Sequence, residues 1–166
     1  DGDGKGDLMV GSMYNDYGGE DVGRAYLILG ASLSDAGTIE LSDADYKFAG
    51  EKTGDRAGRL VGSAGDMDDD GLSDVVIGAF GNDDAADMAG KTYFVMGNTL
   101  GTSSTISLSD IETTVIGERN GDASGQTVAG IGDVNQDGRD DVLIGAFRND
   151  DIAQDAGKVY ILLSSL

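Results

Sequence analysis

Two stretches of the chain place oxygen-bearing side chains at alternate positions of a short loop that contains glycine. The first is DMDDDGLSD, residues 66–74, and the second is DVNQDGRDD, residues 133–141. Alternate residues of a tight loop can turn their oxygen atoms toward one centre, and the Gly at the sixth position permits the sharp bend that this requires. Hard oxygen ligands in this number favour Ca²⁺ over zinc, copper or Mg²⁺. We therefore predict a calcium site in each loop.

The predicted ligands occupy the first, third, fifth, seventh and ninth positions of each loop. The seventh residue varies freely, which is expected where the backbone carbonyl binds the ion. Asp69 lies off this alternation and should face water. A third loop at the start of the chain matches from its third position onward, so it lacks its first ligand. The predicted ligands are Asp66, Asp68, Asp70, Leu72 and Asp74; Asp133, Asn135, Asp137, Arg139 and Asp141; and Asp1, Asp3, Lys5 and Asp7.

Other kinds of metal site fit the sequence less well. An EF-hand needs Glu at the twelfth position of its loop, where this chain has Ile77 and Ile144. The chain has neither His nor Cys, so imidazole and thiolate zinc sites are excluded. The remaining alternative is a set of Asp-rich turns that bind no metal.

The composition excludes two classes of partner. The chain has 31 acidic residues against 11 basic residues and a formal net charge of −20. No basic face is available for nucleic acid phosphates or for an anionic membrane surface. No apolar run approaches the ~20 residues that a membrane span needs, so we expect no direct membrane insertion.

The whole of residues 1–166 is a single array of one repeated unit. Residue 66 aligns with residue 133 and the register holds along the chain, which gives a period of 67 residues. Short apolar runs bounded by Gly and Asp predict an all-β fold with four antiparallel strands per unit, at 58–65, 74–80, 91–97 and 113–117. Units of this length suit the blades of a β-propeller. We expect about two and a half blades, with a partial blade at 1–50, a complete one at 51–117 and a partial one at 118–166.

The sequence resembles a known family in these same segments. GDRAGRLVGSAGDMDDDGLSDVVIGAF with AGKTYFVMG, and GDASGQTVAGIGDVNQDGRDDVLIGAF with AGKVYILL, are similar to the FG-GAP repeats of integrin α-subunit β-propellers and of many bacterial surface proteins. The resemblance implies calcium in the loop that joins the innermost strand of each blade to the second strand. The family's Gly-Ala-Pro is replaced by Gly78-Ala79-Phe80 and Gly145-Ala146-Phe147. Family propellers close with about seven blades, so we expect further blades of the same chain or identical subunits as partners.

The function expected from the resemblance is that of a non-catalytic, extracellular calcium-binding propeller segment, which acts in adhesion or as a structural part of a surface protein or appendage. We expect no enzyme activity, because the carboxylate pairs recur at the repeat period as scaffold residues do. Alternatives are the propeller module of a larger secreted hydrolase or lyase and a self-assembling filament subunit. A protein or glycan ligand is expected on the loops 14–23, 81–90 and 148–157, where the units differ most.

Three smaller motifs also recur at the repeat period. The NDD segments at 82–84 and 149–151, with NDY at 15–17, predict turns held by side-chain hydrogen bonds. GEKTGD at 50–55 and GERNGD at 117–122 predict solvated turns. Glycines inside the strands predict the close approach of another backbone, and tyrosines at one repeat position predict core residues; these are Gly11, Gly78 and Gly145, and Tyr26, Tyr93 and Tyr160.

Overall fold

A computed structural model of the chain describes residues 1–33 and 37–164. Within these ranges the regular structure consists of short β-strands and three-residue 3₁₀ helices, without an α-helix, which confirms the predicted all-β class. None of the described helices is long or apolar enough to cross a membrane. The 3₁₀ helices are Gly30–Ser32, Leu41–Asp43, Gly97–Thr99 and Leu108–Asp110. The strands are β1 (Leu8–Ser12), β2 (Arg24–Ile28), β3 (Tyr46–Ala49), β4 (Leu60–Gly65), β5 (Asp74–Ala79), β6 (Lys91–Val95), β7 (Thr105–Ser107), β8 (Thr114–Ile116), β9 (Thr127–Gly132), β10 (Asp141–Ala146) and β11 (Lys158–Leu162).

The strands form three sheets. The first has the order β1-β2-β3-β7, the second β4-β5-β6-β8 and the third β9-β10-β11. The second sheet is antiparallel throughout and has the four-strand order predicted for residues 58–117. The described residues do not form a closed ring of sheets, so the closed propeller, its blade number and its repeat length stay predictions.

One strand of the first sheet was not predicted. The short strand β7 lies in the connection between β6 and β8 of the second sheet, yet it pairs in parallel with β3 of the first sheet. The backbone amide of Lys47 also donates a hydrogen bond of 2.9 Å to the carbonyl oxygen of Ser104. The second unit therefore covers the outer edge of the sheet that precedes it.

Two apolar clusters join the three sheets. The first cluster contains Leu27 and Phe48 of the first sheet together with Ile77 and Tyr93 of the second. The other cluster places Val76, Phe94 and Met67 of the second unit against residues of the third sheet, which are Val128, Val142 and Ile144. Both faces of the second sheet are thus buried, as expected for a unit that needs neighbours on each side.

Glycines inside β1 and β5 lie where another backbone approaches closely, as predicted. A Cβ atom on Gly11 would overlap the carbonyl oxygen of Gly58, and a Cβ atom on Gly78 would overlap that of Gly125. The backbone amide of Gly58 in turn donates a hydrogen bond of 3.0 Å to the carbonyl oxygen of Gly78. These positions exclude any side chain for a steric reason.

Replacing Gly78 with Ala is expected to reduce the free energy of unfolding by about 2 kcal/mol, because the added methyl group overpacks a backbone contact. Gly62→Ala in β4 is the matched control, since a Cβ atom there meets no heavy atom within 4 Å. We expect the control to change stability by less than about 0.5 kcal/mol. Urea denaturation of both variants in millimolar calcium measures the difference, and equal stabilities would contradict the close approach.

Candidate metal centre

The loop at 66–74 is shaped by hydrogen bonds from its own backbone to its carboxylates. The two carboxylate oxygens of Asp66 accept hydrogen bonds from the amides of Asp70 at 3.1 Å and Gly71 at 2.9 Å. The Oδ1 atom of Asp70 accepts one from the amide of Leu72 at 2.7 Å. Gly71 has a φ of 88°, a left-handed conformation that glycine adopts at low cost. The alternation of Asp with a glycine at the sixth position thus produces a compact turn.

Asp74 anchors the far end of the loop at the start of β5. Its side chain is fully buried, and its carboxylate accepts hydrogen bonds of 2.8 Å from the backbone amides of Met67 and Gly97. Burial raises the pKa of Asp74, and the negative charges of Asp68 and Asp70 act in the same direction, whereas the two backbone hydrogen bonds oppose the shift. A positive charge close to this carboxylate would oppose the upward shift of its pKa.

Three of the predicted ligands come together in this loop. Asp66, Asp68 and Asp74 each offer a carboxylate oxygen, and these atoms lie within 4.8 Å of one another. The Oδ2 atom of Asp68 accepts a hydrogen bond of 3.0 Å from Asn98, but its Oδ1 atom is buried without a hydrogen-bond partner. A buried carboxylate oxygen without a partner is unfavourable. The donor set therefore fits a hard divalent cation.

The other predicted positions of this loop are arranged differently. Asp70 is exposed and lies outside the cluster of three, and the carbonyl of Leu72 stays a predicted ligand. Asp69 is exposed and has a φ of 60°. Its counterpart in the next loop, Gln136, has a φ of 63°. The left-handed fourth residue turns this side chain away from the loop centre, which explains why Asp69 faces water.

The loop at 133–141 repeats most of these hydrogen bonds. Asp133 accepts from the backbone amides of Asp137 at 3.1 Å and Gly138 at 2.9 Å. Asp141 is buried, and it accepts from the amides of Val134 and Ser164 at 2.9 Å each. The main difference is Asn135, whose amide nitrogen donates a hydrogen bond of 2.8 Å to Asp137. The third position here contributes a neutral oxygen, so this loop carries one carboxylate fewer than the loop at 66–74; Arg139 stays a predicted carbonyl ligand.

The loop at the start of the chain keeps the same local pattern in a more exposed form. The carboxylate of Asp1 accepts a hydrogen bond of 3.0 Å from the backbone amide of Asp3. The carboxylate of Asp3 in turn accepts one of 2.8 Å from the backbone amide of Lys5. Asp7 accepts from the amide of Gly30 at 2.8 Å, and its other oxygen lies 3.6 Å from the terminal amino group. The three loops thus share the anchoring contact between their last Asp and the residue that follows the third strand of the unit.

Sequence reasoning missed two residues that support the loop at 66–74. Asn98 donates to Asp68, as described above, and Asp140 accepts a hydrogen bond of 3.0 Å from the backbone amide of Asp66. The amide of Asp140 also donates to the carbonyl oxygen of Asp66 at 2.9 Å. Asp140 belongs to the next loop, so two candidate metal loops are hydrogen bonded to each other. The only sequence signal is that Asp140 departs from its counterparts, Ser73 and Gly6.

The opposite end of the second sheet carries a cluster of ion pairs. Lys91 begins β6, and its ammonium group lies 2.8 Å from carboxylate oxygens of both Glu51 and Asp84. The side chains of Lys91 and Glu51 are only 11% and 10% exposed. The prediction that GEKTGD forms a solvated turn is therefore wrong for Glu51, because the turn folds back onto the start of a buried strand.

The predicted NDD turns are confirmed, and the prediction of core tyrosines is confirmed for Tyr26 and Tyr93, whereas Tyr160 is only partly buried. The side-chain oxygens of Asn82 and Asn149 each accept a hydrogen bond of 3.1 Å from the amide two residues later. Their amide nitrogens donate to Asp55 and Asp122. Both carboxylates are buried, so the prediction of solvated turns at GEKTGD and GERNGD is also wrong for these two residues. Tyr93 is fully buried. These contacts build the scaffold at the end of the sheets away from the candidate metal loops.

Comparison with known proteins identifies the repeat. Residues 124–162, which span the third sheet and the loop at 133–141, match the FG-GAP repeat family model. These residues form an FG-GAP repeat. The chain is also 32% identical over 127 residues to Integrin alpha-3 of Cricetulus griseus, an alignment that covers 75% of the chain and 11% of the integrin. The aligned part thus spans about a ninth of the length of this relative.

Proposed function

We propose that the chain is a non-catalytic, extracellular, calcium-binding segment of a β-propeller, which acts in adhesion or as a structural part of a surface protein or appendage. The observation that carries the proposal is the cluster of carboxylate oxygens from Asp66, Asp68 and Asp74, together with the buried, unpartnered Oδ1 atom of Asp68. The FG-GAP repeat at residues 124–162 and the similarity to an integrin α-subunit support the propeller and the adhesive role.

Calcium would neutralise the clustered carboxylates and fix the turn between β4 and β5. The side chains of Asp66, Asp68 and Asp74 would hold the ion, with Asp70 and the Leu72 carbonyl as further ligands. We propose a second complete site at Asp133, Asn135, Asp137, Arg139 and Asp141, and a site lacking its first ligand at Asp1, Asp3, Lys5 and Asp7. Because the ion binds only the folded loop, its binding free energy adds to the stability of the fold.

Replacing Asp68 with Ala is expected to weaken calcium binding at the loop 66–74 at least tenfold, because the change removes one of the three clustered carboxylates. Asp69→Asn is the matched control: it removes the same negative charge from an exposed neighbour and keeps a residue that tolerates a left-handed backbone. Calorimetric calcium titration compares the two variants. Equal affinity in both, or no calcium binding by the unchanged chain, would contradict the proposal.

An exposed apolar strand face supports further repeat units as partners of this chain. The outward face of β11 exposes Val159, Ile161 and Leu163, at 58%, 56% and 47% of their surface. The corresponding face of the second sheet is covered by the third. We propose that another unit, from the same chain or from an identical subunit, covers the face of β11.

A protein or glycan ligand is proposed on the loops that join the second strand of each unit to the third. These loops differ in their exposed apolar residues, with Tyr14 and Tyr17 in the first and Ile152 in the third. Tyr14 and Tyr17 are 61% and 62% exposed, and Ile152 is 88% exposed. The two exposed tyrosines on the first loop would offer such a ligand an apolar contact surface.

A further inference from the structure

Three cationic residues hold the same place in the three sheets. Arg24, Lys91 and Lys158 begin β2, β6 and β11, and they pair with Ser12, Ala79 and Ala146 of the neighbouring strand. This equivalence allows the surroundings of the three charges to be compared directly.

Two of these cations have the same pair of carboxylate partners. Lys91 contacts Glu51, which lies 40 residues before it, and Asp84, which lies seven residues before it, each at 2.8 Å. Lys158 contacts Glu118 and Asp151 at the same two separations, with distances of 2.9 Å and 2.8 Å. The position therefore has two carboxylate partners. One follows the outer strand of the preceding sheet, and the other lies seven residues before the cation.

Arg24 has neither carboxylate. Tyr17 stands seven residues before it, where the other units have Asp, and its ring stacks on the guanidinium group with 3.8 Å between Arg24 Cζ and the ring centroid. Arg24 is only 9% exposed, its Nε atom is buried without a hydrogen-bond partner, and it forms no ion pair within residues 1–33 and 37–164. A buried guanidinium without a counter-ion is unfavourable, and buried charges are normally paired.

We propose that Arg24 and Tyr17 form a carboxylate-binding site. A guanidinium group presents its N–H donors in a planar fork that matches a carboxylate, and charge-assisted hydrogen bonds of this kind are among the strongest in proteins. The carboxylate comes from one of two sources. It is a glutamate of another repeat unit, placed as Glu51 and Glu118 are, or it belongs to a separate acidic ligand.

The orientation of β2 determines the side from which a carboxylate would approach Arg24. Ala25 and Leu27 face the second sheet and lie in the shared core cluster. Tyr26 and Ile28 belong to a separate cluster on the other face, and Arg24 lies on that face because alternate strand residues point the same way. The carboxylate would therefore approach from the side of the first sheet away from the second.

Side-chain NMR of Arg24 in the full chain, at physiological ionic strength and millimolar calcium, tests the site. The two probes are a hexapeptide with the sequence of residues 50–55, Gly-Glu-Lys-Thr-Gly-Asp, and sodium acetate. We expect a saturable shift of the Arg24 Nε–H resonance. The ring resonances of Tyr17, which stacks on Arg24, report probe binding in the variants. Arg24→Gln should weaken probe binding at least tenfold, whereas Arg59→Gln, which removes one charge from an exposed arginine, should leave it unchanged.

The pattern of response identifies the source of the carboxylate. Binding of the peptide alone, or binding of the peptide far more tightly than acetate, supports a glutamate of another repeat unit. Similar binding of both probes, or binding of acetate alone, supports a separate acidic ligand. The absence of a saturable Arg24 shift with either probe overturns the proposal.

Tyr17→Asp provides a second, independent test that does not rely on an added ligand. This change gives Arg24 the carboxylate that Lys91 has in Asp84 and Lys158 has in Asp151. We expect the melting temperature to rise by about 3 °C and the response to both probes to fall at least tenfold, because the internal carboxylate occupies the site. A lower melting temperature with unchanged probe binding would overturn the proposal.

Discussion

Removing calcium with EGTA is expected to lower the melting temperature of the chain by about 10 °C. At about 2 mM free calcium and a Kd of about 0.1 mM, each bound ion stabilises the folded state by about 2 kcal/mol. Two complete loops would contribute about 4 kcal/mol, and a chain of this size changes its melting temperature by about 2–4 °C per kcal/mol. Thermal unfolding followed by circular dichroism, with and without EGTA, measures the effect.

The same experiment has an internal control for ionic strength and for metal identity. Restoring calcium after chelation should recover the original melting temperature. Magnesium at the same concentration should recover less of it, because Mg²⁺ demands octahedral geometry and gives up its waters reluctantly. A melting temperature that does not respond to chelation would show that the Asp loops fold without metal and would contradict the calcium proposal.

Replacing Lys91 with Met is expected to reduce the free energy of unfolding by about 3 kcal/mol. The change leaves the carboxylate of Glu51, whose side chain is 10% exposed, without its ion-pair partner, and removing one member of a buried pair is strongly destabilising. Burial lowers the pKa of Lys91, but hydrogen bonds to Asp84 and Glu51 raise it by more, so the lysine stays charged. Urea denaturation in millimolar calcium measures the loss.

Lys158→Met is the matched control, because this lysine makes the same contacts with a third of its side chain exposed. Water screens its charges, so we expect a clearly smaller loss of stability. Equal losses in the two variants would contradict the role of burial.

The dependence of stability on acidic pH provides a further check. Hydrogen bonds from Lys52 and Lys91 lower the pKa of Asp84. The ionised carboxylate of Asp84 therefore stabilises the fold fully above the ordinary Asp pKa of about 3.9, and this contribution is lost as the pH falls through the lowered pKa. The difference in the free energy of unfolding between the unchanged chain and Lys91→Met should therefore shrink below about pH 4.

The local geometry of the candidate metal loops could be predicted from the sequence because it depends on residues close in the chain. Asp66, Asp70 and Asp74 each accept a hydrogen bond from a backbone amide two to seven residues away, and Gly71 supplies the left-handed bend. The exposure of Asp69 followed from the same alternation. The order of strands in the second sheet was predictable for a similar reason, since each predicted strand pairs with the next predicted strand of the unit.

The contacts that the sequence did not reveal join residues that are far apart in the chain. Glu51 reaches Lys91 across 40 residues, and Asp140 reaches Asp66 across 74. Neither contact produces a local pattern, and the charges around Glu51 resemble those of an ordinary solvated turn. The lack of a carboxylate partner for Arg24 has no local sequence pattern either, because it depends on the burial of Arg24 and on its equivalence to Lys91 and Lys158.

The pairing of β7 with β3 has a consequence for the way the chain unfolds. In a simple repeat array each unit contacts its neighbour through one interface, and units at the ends can open independently. Here the second unit also contributes a strand to the first sheet, so the first sheet cannot detach while β7 stays folded. Amide protons on both sides of this pair should then exchange with solvent through one shared opening event, which makes the first two sheets a single cooperative unit rather than two separable modules.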